Sequence, residues 1–254
     1  MTTPSPDPLV AAEGEVPAAE AGLVDLQALA AEPAAEPAAE PAAHPSAQAA
    51  AEPTPPAAPP LRKRPKPGER RVQILQTLAT MLQQPGVDRV TTAALAARLD
   101  VSEAALYRHF ASKAQMFEAL IEFIEQSVFT LVNQIAEREA GSTAQVHKML
   151  TVLLQFGEKN PGMARVMVGD ALVFENERLL QRMNQFFDRI ESQLRQGLRA
   201  TAEAAGSATP TVDANVQASV LTAFALGRLQ RFARSGFKRS PTEHLDQALS
   251  LLLP

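Results

Sequence analysis

The chain has no cysteine and no tryptophan, and a single tyrosine among its 254 residues. Without cysteine there are no disulfides, no thiolate metal sites and no cysteine nucleophile. No basic segment precedes an apolar core at the N-terminus, so a secretory leader is not expected. No window approaches the ~18 uninterrupted apolar residues of a membrane span. The four histidines (44, 109, 147 and 244) are scattered, and H-E-x-x-H, G-x-S-x-G and phosphate-loop motifs are missing. With no converging nucleophile, base or metal set, an enzyme is not expected, nor is a cofactor or a bound metal. A cytoplasmic bacterial protein with no membrane contact fits these absences.

Charge of one sign is absent locally. Residues 1–61 hold nine acidic residues, no Lys or Arg, no aromatic residue and thirteen of the twenty prolines. Such a stretch cannot bury enough area to offset its ordering entropy, so it reads as a disordered acidic Pro/Ala-rich tail. Its EPAA repeat, with a proline every four residues, forbids a continuous helix. Residues 20–31 suit a short transient helix, by bland propensity or as a partner motif. The acidic tail masks a basic region behind it. The whole chain carries a net charge of −4, yet residues 62–113 hold ten basic and four acidic residues. A nucleic-acid footprint has that local bias. Within it, RKRPKPGERR (62–71) is either a solvated basic run or an arm that follows the phosphate backbone, with Arg62, Lys63 and Arg64 leading.

Residues 91–113, TTAALAARLDVSEAALYRHFASK, read as two short helices joined by a tight turn. Thr91 or Thr92 caps the first helix, and Leu95, Ala96 and Leu99 form its apolar face. Asp100 is expected in a left-handed conformation, Val101 is the buried turn residue, and Ser102 caps a second helix running to Phe110. This is the pattern of a DNA-binding helix-turn-helix, although a generic helical pair has the same outline. Ser102, Glu103, Ala104 and Ala105 then start the helix end that meets base edges. Arg108 reaches a guanine or a phosphate one turn later. Thr91 and Thr92 can direct hydroxyl and N–H groups at a phosphate. Tyr107, His109 and Lys113 fit backbone positioning; Tyr107 equally fits a packing role, and His109 is weak as a lone signal.

The rest of the chain reads as helices. One covers about 69–84 and ends at Pro85-Gly86. Ser112-Lys-Ala-Gln and Ser142-Thr-Ala-Gln are capping boxes opening the fourth and fifth helices, and Ser240-Pro-Thr-Glu opens the last. Asn160-Pro161 starts a sixth. Residues 175–205 form a long charged helix with a spine of Leu179, Met183, Phe186, Phe187, Ile190 and Leu194, its charges reading as a solvated ion-pair face. Another runs from about 212 to 234. No stretch alternates with period two. The fold is expected to be all-α: a helix-turn-helix domain at 62–125 and a helical domain at 126–254, behind the tail.

The run LYRHFASK resembles the L-Y-x-H-F-x-S-K signature that ends the N-terminal domain of TetR-type regulators. SEAALYRHF, LIEFIEQS, FGEKNPG, ALVFENERL, RIESQLRQ and RSGFKRSPTE are together similar to one branch of that family, the nucleoid occlusion factors. The resemblance covers residues 62–254 and leaves the tail's role open. It implies a nucleoid-associated homodimer on near-palindromic double-stranded DNA, and disruption of assembly of the division protein FtsZ. It also places the dimer contact on the helix at 212–234, with Val216, Val220, Phe224 and Leu229. Phe123, Lys159 and Asn160 match the FtsZ-docking positions between helices four and five; Leu131 and Gln155 depart from that groove's pattern. Simple packing is the other reading of Phe123. The alternative function is a ligand-responsive repressor whose C-terminal domain encloses a small molecule.

Overall fold

The computed structural model describes residues 68–84, 89–139 and 141–253. The tail, the short helix read at 20–31 and the Pro85-Gly86 stop lie outside the described residues. Nine α-helices and no strand occur among those described. They are α1 (Glu69–Leu82), α2 (Thr92–Leu99), α3 (Glu103–Tyr107), α4 (Lys113–Arg138), α5 (Thr143–Lys159), α6 (Pro161–Met167), α7 (Glu177–Ala204), α8 (Pro210–Arg234) and α9 (Leu245–Leu252), with a 3-10 turn at Asp170–Leu172 before α7.

Two capping boxes form as read. Ser112 Oγ accepts from Gln115 N, and Gln115 Oε1 accepts from Ala111 N. Ser142 Oγ accepts from Gln145 N, and Gln145 Oε1 accepts from Gly141 N. In each, the serine satisfies an amide that the first helical turn leaves without a partner, while the glutamine reaches back to the amide just before the cap. The third does not form. Ser240 and Thr242 both donate their hydroxyls to the Glu158 carboxylate of α5, and α9 begins only after His244. The Ser240 proton goes to the carboxylate while its oxygen accepts from Thr242 N, two residues on, so the segment becomes a tied loop instead of a cap. Asn160 precedes α6 without a side-chain cap, because its amide nitrogen donates back to Phe156 O.

One apolar core runs from Ile74 to Leu253. α4 spans both units without a break, and the whole spine of α7 is buried against it and its neighbours. Phe129 of α4 meets Phe186 edge-on at 5.3 Å. The charged side of α7 is in part the ion-pair face expected from the sequence, with Arg195–Glu191 and Arg199–Glu203 pairing one turn apart, and in part a set of contacts to α4. Arg182 grips Glu125 of α4 with two bonds of 3.2 and 2.6 Å. That hydrogen bonding holds its guanidinium above the ordinary value against the opposing effect of burial. Arg178 reaches Glu118 at 3.0 Å, and Arg189 stacks over Phe129 at 3.9 Å. These arginines fasten α7 to α4, a pairing that helix periodicity cannot see.

Two glycines mark close approaches. A Cβ at Gly157 would fall 2.4 Å from Leu229 Cδ2, where α5 meets α8. A Cβ at Gly162 would fall 2.1 Å from the carbonyl oxygen of Ala79, where α6 meets α1.

Candidate nucleic-acid and partner interfaces

The helix-turn-helix is built from the residues that its sequence pattern named. Thr91 Oγ1 accepts from Ala94 N, and Ser102 Oγ accepts from Ala105 N, each such cap stabilising its helix by ~1 kcal/mol. Asp100 adopts φ 55°, ψ 50°, the left-handed turn that reverses the chain. Val101 is only half-buried, packed at the edge of the core. α3 is shorter than read: it ends at Tyr107, and Phe110 lies beyond it, fully buried. The reason sits on α1, where Arg71 stacks over the Phe110 ring at 4.1 Å and donates to His109 O at 3.0 Å. Arg71 was not singled out in the sequence beyond its place in the basic run. The signal was there: a cation on the first helix and a buried aromatic after the recognition helix.

Around α3 the side chains divide by availability. Ser102, Glu103 and Ala104 are exposed at its start, and Ala105 is half-buried. Tyr107, 45% exposed, and Arg108 and His109, both exposed, follow at its end. Glu103 is already engaged, because Thr92 Oγ1 donates to its carboxylate at 2.6 Å. That bond ties α2 to α3 and fixes their angle. It occupies the two side chains that were read as phosphate and base contacts.

Lys113, read as a phosphate contact, is engaged within the protein. Its ammonium pairs with Glu175, from the segment between the 3-10 turn and α7, and lies over the Phe117 ring at 5.5 Å. Both partners are largely covered, 17% and 8% exposed. Here it fastens the helix-turn-helix to the C-terminal helices. Arg62, Lys63 and Arg64 lie outside the described residues.

The C-terminal candidates separate too. Phe123 is 3% exposed and packs 6.3 Å from Phe156 of α5, so it is a core residue of the α4–α5 contact. Lys159 is exposed at the end of α5, and Asn160 is half-buried beside it. On α8, Val212, Val216 and Val220 recur at four-residue spacing and are 58%, 61% and 50% exposed. Phe224 is half-buried under the Arg228 guanidinium, 4.7 Å from its ring. Leu229 is not a surface residue at all. It is fully buried against Gly157 within the same protomer and cannot meet a second copy.

Residues 74–120 match the family described as bacterial regulatory proteins of the tetR family, and residues 141–254 match the SlmA-like group of tetracyclin repressor-like C-terminal domains. The nucleoid occlusion factor SlmA of Aliivibrio fischeri (strain MJ11) is 50% identical over 189 residues, which cover 74% of this chain and 96% of that protein. SlmA of Vibrio vulnificus (strain YJ016) is 49% identical over 188 residues, 74% of this chain and 95% of the relative. The chain belongs to the SlmA family of nucleoid occlusion factors. Like TetR-type proteins generally, SlmA proteins are DNA-binding regulators and not enzymes. Solved structures agree on the fold alone. PfmR from Thermus thermophilus gives a TM-score of 0.59 at 20% identity, covering 71% of this chain and 97% of that one. FadR from Bacillus subtilis, in complex with stearoyl-CoA, gives 0.57 at 14% identity, covering 71% and 96%.

For this SlmA-family chain the exposed cation at the end of α3 yields a direct expectation. Arg108→Ala should weaken DNA binding and lower the slope of log affinity against log salt by about one, if Arg108 neutralises a phosphate. A fluorescence-anisotropy salt series checks it. An unchanged slope assigns Arg108 to bases or to solvent.

Proposed function

We propose that this protein is a nucleoid occlusion factor that binds chromosomal sites as a homodimer and, while bound, disrupts FtsZ polymer assembly. The carrying observation is a capped helix-turn-helix with Tyr107, Arg108 and His109 exposed at one corner, on a chain half-identical to SlmA along nearly the whole length of those relatives. DNA supplies position; the C-terminal helices supply the antagonism. In the dimer the Val212–Val216–Val220 stripe of α8 meets its own copy, with Phe224 at its edge. Two-fold symmetry then sets two recognition helices about one DNA turn apart and favours near-palindromic sites.

At the proposed FtsZ site, Lys159 and Asn160 are the surface elements and Phe123 shapes the groove from beneath. Lys159→Ala should remove most of the FtsZ antagonism while leaving DNA affinity and helix content unchanged, since an exposed residue at a helix end contributes little to folding. FtsZ light scattering with the variant checks this. Full antagonism would move the site elsewhere. Phe123→Ala is unsuitable for that purpose, because emptying this buried position costs about 3–5 kcal/mol and damages the fold as well as any docking.

A further inference from the structure

A second charged site lies at the far end of α8. Arg228, Arg231, Arg239, Ser240, Glu243 and His244 line a cavity of about 190 Å³ between the last turns of α8 and the loop leading to α9. The loop is held from several sides. Ser235 Oγ accepts from Lys238 N and Arg239 N. Arg228 donates to the carbonyls of Pro241 and Glu243, at 3.0 and 2.6 Å. Glu158 takes the hydroxyls of Ser240 and Thr242. Phe237 and His244, neither a glycine, sit at φ 65° and 51° at the two ends of the segment, a conformation kept only where the surroundings impose it.

This frame gathers three arginines around one carboxylate, Glu243. Neither Arg231 nor Arg239 forms an ion pair with a described residue. Burial first, then the neighbouring Arg231, holds the Arg228 guanidinium below its ordinary value, with Glu243 opposing. Basic residues in a last helical turn often do no more than complement the helix dipole, and that would account for Arg231. It does not account for Arg239, which lies outside the helix on the tied loop and faces the same cavity.

We infer that this cavity is a docking site for an acidic peptide segment, its carboxylates held by the Arg231 and Arg239 guanidinium forks. Arginine is suited to the task, since its planar fork donates two parallel hydrogen bonds to one carboxylate. A cavity of about 190 Å³ takes side-chain carboxylates that reach into it one at a time. The inference does not rest on the FtsZ reading, and it is measured without FtsZ.

The test is calorimetric titration of the full chain with a six-glutamate peptide, against a six-glutamine peptide of the same length. The glutamate peptide should bind with an affinity that falls as salt rises, and the glutamine peptide should not bind. Arg231→Gln with Arg239→Gln should weaken binding by about tenfold, with DNA affinity and circular dichroism unchanged. Arg231→Lys with Arg239→Lys, keeping charge but losing the fork, should fall between. Arg228 is left intact because it frames the loop. Equal binding by the Gln double variant overturns the proposal. So does full displacement of the peptide by inorganic phosphate at matched ionic strength, which marks an unselective anion trap. A loss of duplex affinity in the same variant also overturns it, and makes the surface a nucleic-acid contact.

Discussion

Gly162→Ala should lower the melting temperature of this protein by roughly 5–10 °C, more than any exposed substitution on the same helices. Position 162 is where α6 crosses α1, and an added Cβ would lie 2.1 Å from Ala79 O and 3.0 Å from Ala79 C. Those are backbone atoms in the last turn of α1, and they cannot swing aside as a side chain would. The helices must separate or bend, an overpacking strain of about 1–3 kcal/mol or more. For a folded region of this size each kcal/mol shifts the midpoint by about 2–4 °C. Gly157→Ala provides the contrast. Its nearest obstacle is the tip of the Leu229 side chain at 2.4 Å, which can change rotamer, so its effect should be smaller. Thermal unfolding of both variants reads the difference. Equal midpoints would mean that α1 and α6 are not in the close contact described.

The second large effect is expected at the α8 stripe. Val216→Asp with Val220→Asp should convert the homodimer to a monomer and reduce affinity for a two-half-site operator by roughly 100-fold or more. Both side chains are at least half exposed within one protomer, so aspartates there leave its own core untouched. In a symmetric dimer each copy would bring two carboxylates into an apolar contact, four charges with nowhere to go. Losing the dimer uncouples the half-sites, and avidity across linked sites is worth about 10²–10⁴-fold. Analytical ultracentrifugation and operator binding should move together. An intact dimer in that variant would place the interface on another face.

What the sequence made legible followed from local rules. The capping residues Thr91, Ser102, Ser112 and Ser142, the left-handed Asp100 and the α7 spine are set by a few neighbouring residues, and each appears where local chemistry puts it. The residues whose surroundings were not legible share one cause: their partners are distant in the chain. Lys113 finds Glu175, 62 residues away, and so is held within the protein. Ser240 finds Glu158, 82 residues away, and so never caps α9. Phe123 and Leu229 were both recognised as apolar helix residues. Periodicity says that such a residue needs cover, not whether the cover comes from its own protomer, a copy or a partner. On one helix, Leu229 is covered within its own protomer while Val212, Val216 and Val220 are left exposed.

The central claim is that DNA binding and FtsZ antagonism reside in one molecule and are coupled. The most direct measurement is FtsZ sedimentation with GTP, adding the full chain with and without a pool of genomic duplexes that it binds. Polymer in the pellet should fall on adding the protein, and fall further with the bound duplexes present. Unchanged polymer under both conditions, from a protein that still binds the duplexes, would contradict the account and leave a TetR-type repressor whose ligand remains to be found.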